Sequence, residues 1–340
     1  MLSAVFSSNN IYKSLLTIVV AALLTACGGS GGGGGTSYPN ITYSGIETEA
    51  VIDQTNADEF PLVMLEGGSG STSIPLAISS QAGAAEGIPN KENVKKASAV
   101  ITSLVSSNLG NNTDQVTGAS QSLTGNCGGT ATVTDNSTSS SFSGSMKFDN
   151  YCEIDPFGYQ LSMHGLISFS GNYYLDASNS PVLTSLSLTI EYLKITFNDG
   201  STTVSEEFSG NLTVTSFDPV TNEPLDFTIT VNYVYQGQVF KIANLQVDEF
   251  AGTISGTLYH PDHGYVVITT DPTDPFVYDS VTEQFCSGTL HIEGSDGAGN
   301  TASIDFTDDS CTTYDICVTI NTNPQVCSYA NAWGTEPVWP

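Results

Sequence analysis

A strict two-residue alternation in the middle of the chain constrains the fold most. Leu186, Leu188, Ile190 and Tyr192 alternate with Ser187, Thr189 and Glu191, and Phe227, Ile229, Val231, Tyr233 and Tyr235 alternate mainly with Thr and Asn. Successive side chains of a strand point to opposite faces, so the pattern predicts strands with one buried and one wet side. After Tyr192 the phase inverts to Leu193, Ile195 and Phe197. An inversion within one run predicts a bulge or bend, because a flat strand keeps its phase. The pattern Gly-x-apolar-x-apolar recurs at Gly129, Gly144, Gly165, Gly210 and Gly288, with a partial copy at Gly256. Each copy reads as a strand beginning after a turn. Asn198 to Gly200, Asp218-Pro219 and Asp271 to Pro275 supply turn chemistry between the runs.

The expected fold is therefore mainly β, an antiparallel β-meander over 121–340. Periodicity leaves open whether it forms a twisted sheet, a half-barrel or a barrel. Ahead of it, 38–120 is expected to be an N-terminal segment with one amphipathic helix. Val94, Ala97, Ile101, Leu104 and Val105 share a face there, and Gly110 is placed as the C-terminal stop. A shorter helix over Asn56 to Glu66 is interrupted by Pro61.

Six cysteines follow position 100: Cys127, Cys152, Cys286, Cys311, Cys317 and Cys327. Two pairs have alike surroundings. Cys127 and Cys286 each open a Cys-x-Gly-Thr run of alternating residues, cross a polar turn (Asp135 to Ser141; Gly294 to Asn300) and return to Cys152 and Cys311. Both read as β-hairpins stapled across their open ends, which leaves Cys317 with Cys327 to close a small loop. An even set in an exported chain is a disulfide framework, and the absence of CxxC removes the usual zinc-ribbon and thioredoxin-like readings.

Export is legible at the N-terminus. Lys13 precedes an apolar run from Ser14 to Leu24 that is too short to span a bilayer, and the run ends in Leu24-Thr25-Ala26-Cys27 before a glycine-rich stretch. This ending resembles the lipobox of bacterial lipoproteins. The resemblance implies a signal peptide over 1–26, acylation of Cys27 (diacylglycerol, then a palmitate-like chain), and a lipidated linker over 27–37. That linker is a flexible coil with a reach of roughly 16 Å. In that family a residue other than Asp after the cysteine permits transfer to the outer membrane, and here it is Gly28. Further on, Tyr43 to Asp53 with Asn56-Ala57, and Asn150-Tyr151-Cys152, are similar to segments of a group of uncharacterised proteobacterial lipoproteins. That second resemblance bears on fold and location and implies no activity.

The chain carries a formal charge of −28 and its seven basic residues are all lysine. An acidic surface without guanidinium forks repels nucleic acid, which is excluded as a partner. The expected partner is the membrane, through the lipid anchor; the protein or small-molecule partner is left open.

Reactive groups are sparse. His260-Pro261-Asp262-His263 could set two imidazoles on one metal, but no third ligand lies nearby and Pro261 forbids a helical site, so a polar hairpin loop is the reading. His164 and His291 lie in strand patterns and read as packing residues. Gly67 to Ser71 is a glycine-rich turn without the strand and helix of a nucleophile elbow. Glu206, Glu207, Asp308 and Asp309 are candidates for a glycosidase-like pair and equally a solvated acidic face. The acidic turns Asp271 to Asp274 and Asp296 to Asn300 offer hard oxygens for calcium without the twelve-residue loop pattern. Tyr173, Tyr174, Tyr192, Tyr233 and Tyr235 could line a groove or a sugar-stacking surface, while Trp333 and Trp339 lie in the tail. No catalytic residue, metal or cofactor is assigned. The expectation is a non-enzymatic binding or structural module of the outer membrane. Its alternatives are a half-barrel for lipid or another apolar ligand, a surface adhesin or assembly subunit, and a glycan-active hydrolase.

Overall fold

Alternation becomes a single antiparallel sheet in the computed structural model. The structure describes residues 38–53, 56, 57 and 60, and then 119–332 apart from 137, 155–157, 159, 178–180, 199, 202, 218–223, 236, 249–250, 280–283, 295–300, 307–312, 320–323 and 329–330. Two compact units divide the chain, Met1–Tyr38 and Pro39–Pro340, and every described strand belongs to the second.

The strands are β1 (Ala119–Gly125), β2 (Gly128–Asp135), β3 (Ser141–Ile154), β4 (Gln160–Leu175), β5 (Pro181–Asn198), β6 (Thr203–Phe217), β7 (Pro224–Tyr235) and β8 (Gln238–Asp248). They continue as β9 (Thr253–His260), β10 (Gly264–Thr270), β11 (Val277–Asp279), β12 (Gln284–Glu293), β13 (Thr301–Phe306), β14 (Thr313–Thr319), β15 (Val326–Cys327) and β16 (Asn331–Ala332). Neighbours in sequence are neighbours in the sheet, except that β10 pairs β12, with β11 beside β12 and β16 beside β14. The hydrogen-bonded path is open, running from β1 to β15. The amphipathic helix expected around Val94 to Gly110 lies outside the described residues, as does most of Asn56 to Glu66.

One face holds the core. On β4, Leu161, Met163, Ile167 and Phe169 are buried, while Ser162, His164, Ser168 and Ser170 face the other way. That outward face is polar, unlike the apolar belt of a transmembrane barrel. Phe142, Phe148 and Phe208 are among the largest fully buried side chains, and each such burial stabilises by about 2 kcal/mol.

The central strands are long, with 16 residues in β4 and 18 in β5, and bulges bend them. The phase inversion at Tyr192 is one of these. The β5–β6 register slips between Ile190 and Leu193, and the β4–β5 register slips opposite it. Further shifts fall between Phe148 and Tyr151 on β3 and between Ala243 and Gln246 on β8. Both contain an asparagine in left-handed backbone, Asn150 (φ 50°) and Asn244 (φ 51°), a conformation that asparagine tolerates better than most residues.

The recurring glycines do not begin strands, with Gly129, near the start of β2, the nearest to doing so. Gly144, Gly165, Gly210, Gly256 and Gly288 stand inside β3, β4, β6, β9 and β12. At Gly165 (φ +151°) a Cβ would overlap the Tyr192 carbonyl oxygen, and at Gly210 (φ +146°) that of Thr230. They sit beside the bulge on β5, where neighbouring backbone approaches too closely for a side chain.

Candidate functional site

Residues 39–53, with Asn56, Ala57 and Phe60, form a strap packed on the sheet. Its course is fixed by backbone groups finding partners: Ser209 Oγ (3.0 Å) and Asn232 Nδ2 (3.1 Å) both donate to the Ile41 carbonyl. Tyr43 follows with its ring buried. Its hydroxyl lies 2.7 Å from the Ile46 carbonyl and 3.0 Å from that of His260, bridging both acceptors. Burial, reinforced by Glu47, Tyr259 and Asp262, pushes the Tyr43 phenol up to about 12. The strap then joins β10 in parallel at Glu49 and Tyr265, with Tyr265 N–H donating to Thr48 O and Ala50 N–H to Tyr265 O. Ala50 and Ile52 point into the core, so alternation turns Glu49 and Val51 outward. Beyond them, Asn56 closes a turn by accepting from the Asp53 N–H and donating to the Val51 carbonyl.

An ordered row of side chains crosses the outer face at this place. Lys241 on β8 pairs with Tyr259 on β9, Tyr259 pairs with Tyr265 on β10, and Tyr265 is bridged to Glu49. Lys241 Nζ lies 4.5 Å from the Tyr259 ring centroid, the Tyr259 and Tyr265 rings are 5.2 Å apart, and the Tyr265 hydroxyl donates to Glu49 Oε1 at 3.1 Å. The hydrogen bond to Glu49, with burial second, holds the Tyr265 phenol above its ordinary value. Tyr43 meets Tyr259 edge-on from the strap at 5.5 Å. At one end of the row Gln238 donates to Asp262 at 2.7 Å. Ile46, Val51 and Val267 are exposed apolar side chains of the same strap and strand, at 43%, 60% and 38% exposure. The corner therefore presents aromatic faces, an ammonium and carboxylates together.

The candidates read from sequence disperse. Tyr173 and Tyr233 are buried in the core, the first donating to Thr138 O and the second stacked on Phe240. Tyr174 faces outward, and the side chain of Tyr235, like both tryptophans, lies outside the described residues. Tyr192 is buried at its bulge, where burial and then Glu207 push its phenol up to about 12. Among the described side chains, no common groove joins Tyr173, Tyr174, Tyr192 and Tyr233.

Glu206 and Glu207 are on opposite faces of β6, as adjacent strand residues must be: Glu206 is buried and Glu207 pairs with Lys194 at 3.1 Å. Asp308 and Asp309 lie outside the described residues. Asp226 on β7 and Asp248 on β8 do meet, in direct hydrogen bond, and burial followed by Asp248 raises the Asp226 carboxyl. That contact is closer than the roughly 5 Å that glycosidase acids keep.

His260 and His263 occupy the β9–β10 turn with their rings 4.5 Å apart, against Phe60 and, for His260, Phe240. His260 Nδ1 accepts the Asp262 N–H at 3.2 Å. The expected polar loop is thus partly an aromatic cluster. His291 is not a packing residue: it faces outward and binds Asp271 at 3.1 Å. His164 also faces outward, edge-on to Tyr192. In the turn at Asp271 the carboxylate accepts from Thr273 and His291, which hold it down at about 2, while Asp274 accepts from Thr289. These oxygens serve the turn, and among the described residues no three His, Cys, Asp or Glu gather for a metal. The turn Asp296 to Asn300 and the run Gly67 to Ser71 lie outside the described residues.

Cys127 is bonded to Cys152, which stands opposite Gly128 and closes the β2–β3 hairpin, and Cys317 is bonded to Cys327 directly across β14 and β15. The pairing of Cys286 with Cys311, and Cys27 itself, lie outside the described residues. No protein-family model, curated protein or solved structure matches this chain.

Proposed function

We propose that this chain is an exported lipoprotein, held on the outer membrane through acylated Cys27, and that its sheet serves there as a non-enzymatic binding or structural module. The observation that carries this reading is the ending Leu24-Thr25-Ala26-Cys27 of a short apolar run, followed by glycine. Structural disulfides support it, since they persist in oxidising compartments and not in the cytosol. Two acyl chains give a stable anchor where one gives only reversible binding. The core face is filled by its own side chains, which favours action through the outer surface. Membrane fractionation of cells carrying Cys27→Ser tests the proposal: the wild-type chain stays with the outer membrane under alkaline carbonate, and the variant leaves it. A variant retained as firmly as wild type contradicts the anchor.

A second reading, an adhesin or assembly subunit, draws on β1. Ala119–Gly125 bears no charge and no proline and, among the described residues, pairs only with β2, whereas the far edge is covered by the short β15 and β16 and tied by Cys317–Cys327. Bare uncharged edges are templates for strand addition. Concentration-dependent sedimentation favours this reading, and a strict monomer counts against it.

A further inference from the structure

We propose that this chain forms a closed two-fold dimer in which β1 of one copy adds to β1 of a second, antiparallel and centred on Ser122. The inference rests on the assembly-subunit reading and names its partner. The open sheet has two edges, and they differ. β14 is covered by β15 opposite Cys317 and Val318 and by β16 opposite Thr313 and Tyr314, and the Cys317–Cys327 bridge fastens that cover. β1 pairs along all seven of its residues with β2 and, among the described residues, with nothing on its other side. A bare edge is a template for another strand. Head-to-tail addition of β1 onto β14 would repeat without closing, and it meets the fastened edge. The match left for the bare edge is its own copy, and like-to-like pairing closes at two.

Register follows from side-chain alternation. Residues opposite each other in an antiparallel pair share a face, so the two-fold passes through a residue and not between two. Placed at Ser122, the middle of Ala119–Gly125, it pairs all seven residues, with Ser120 facing Thr124 and Gln121 facing Leu123. Ser120, Ser122 and Thr124 are exposed and align as hydroxyl pairs on the outer face. On the other face Leu123, partly buried against the core, becomes the diagonal neighbour of its copy across the axis. Charge decides where two such acidic chains can meet. Each copy carries −28, yet β1 has no charge and β2 behind it has one, Asp135, opposite Ala119. The two-fold sends the two Asp135 carboxylates to opposite ends, roughly 20 Å apart along the strands, beyond the screening length of about 8 Å in physiological salt. A seven-residue ladder is smaller than a standard interface, so the pair is reversible, with a dissociation constant on the order of 10 µM.

Sedimentation equilibrium of the full-length protein in detergent, with micelles in excess, tests the proposal. A monomer–dimer equilibrium with no larger species is expected. Ser122→Lys sets two ammoniums against each other at the axis and weakens the pair by about ten-fold or more while circular dichroism stays unchanged. Ser187→Lys, on the exposed face of β5, leaves it within about three-fold of wild type. Added cysteines read the register: Ser122→Cys cross-links to itself under mild oxidation, whereas Ser120→Cys cross-links to Thr124→Cys in a mixture and not to itself. A strict monomer at about 100 µM, a dimer that Ser122→Lys does not weaken, or Ser120→Cys joined to itself overturns the proposal. Assemblies that grow past the dimer and vanish in Ser122→Lys overturn the closed pair and keep the assembly reading, whereas a strict monomer removes both.

Discussion

At Gly165 and Gly210 the absence of a side chain is a structural requirement, because the opposing carbonyls of Tyr192 and Thr230 occupy the space a Cβ would take. Gly165→Ala is expected to destabilise the protein by about 2–4 kcal/mol, combining backbone strain with displacement of a strand at its bulge. Urea unfolding measures this, and a loss below about 0.5 kcal/mol is inconsistent with the described bend. Tyr43 gives a different residue-scale test. Its hydroxyl bridges two carbonyls, and Tyr43→Phe is expected to cost about 1 kcal/mol at neutral pH. The phenol titrates at about 12 in the fold and at about 10 in the unfolded chain, so its contribution is complete below pH 10 and is lost as pH rises towards 12. Unfolding midpoints at pH 8 and pH 11 should converge in Tyr43→Phe relative to wild type. An unchanged alkaline drop shows that Tyr43 does not hold the strap.

Bent strands and staples define the elements. Cys127 and Cys152 are separated by 25 residues, and replacing both by alanine is expected to cost about 3 kcal/mol through the freedom returned to the unfolded chain. Under oxidising conditions the double variant should unfold at a lower urea midpoint than wild type. A midpoint equal to that of the oxidised wild type contradicts a stabilising staple. At this scale most of the fold was legible in sequence. Alternation and its inversion at Leu193 are local signals, so strand, face and bulge could all be read from Leu186 to Phe197. The glycine repeat was misread because a strand start and a mid-strand kink both call for a missing Cβ. Only the pairing of Gly165 with Leu193 and of Gly210 with Ile190 tells them apart.

Across the whole molecule, contacts are made between distant parts of the chain. Glu49 and Tyr265 are 216 residues apart, and no periodicity links them; the strap alone brings the carboxylate to β10. Tyrosines close in sequence misled for the converse reason, since Tyr173 and Tyr174 alternate between core and solvent. The proposed anchor, by contrast, is contiguous in sequence, from Leu24 to Cys27. The account as a whole is of an exported, acylated and disulfide-stapled sheet. Intact and peptide-level mass spectrometry of membrane-extracted protein, with and without reduction, tests it most directly. The account predicts an N-terminal peptide beginning at Cys27 with the added mass of its acyl chains, and cross-linked peptides joining Cys127 to Cys152 and Cys317 to Cys327. A chain that keeps residues 1–26, or carries an unmodified Cys27 and free thiols at those positions, contradicts it.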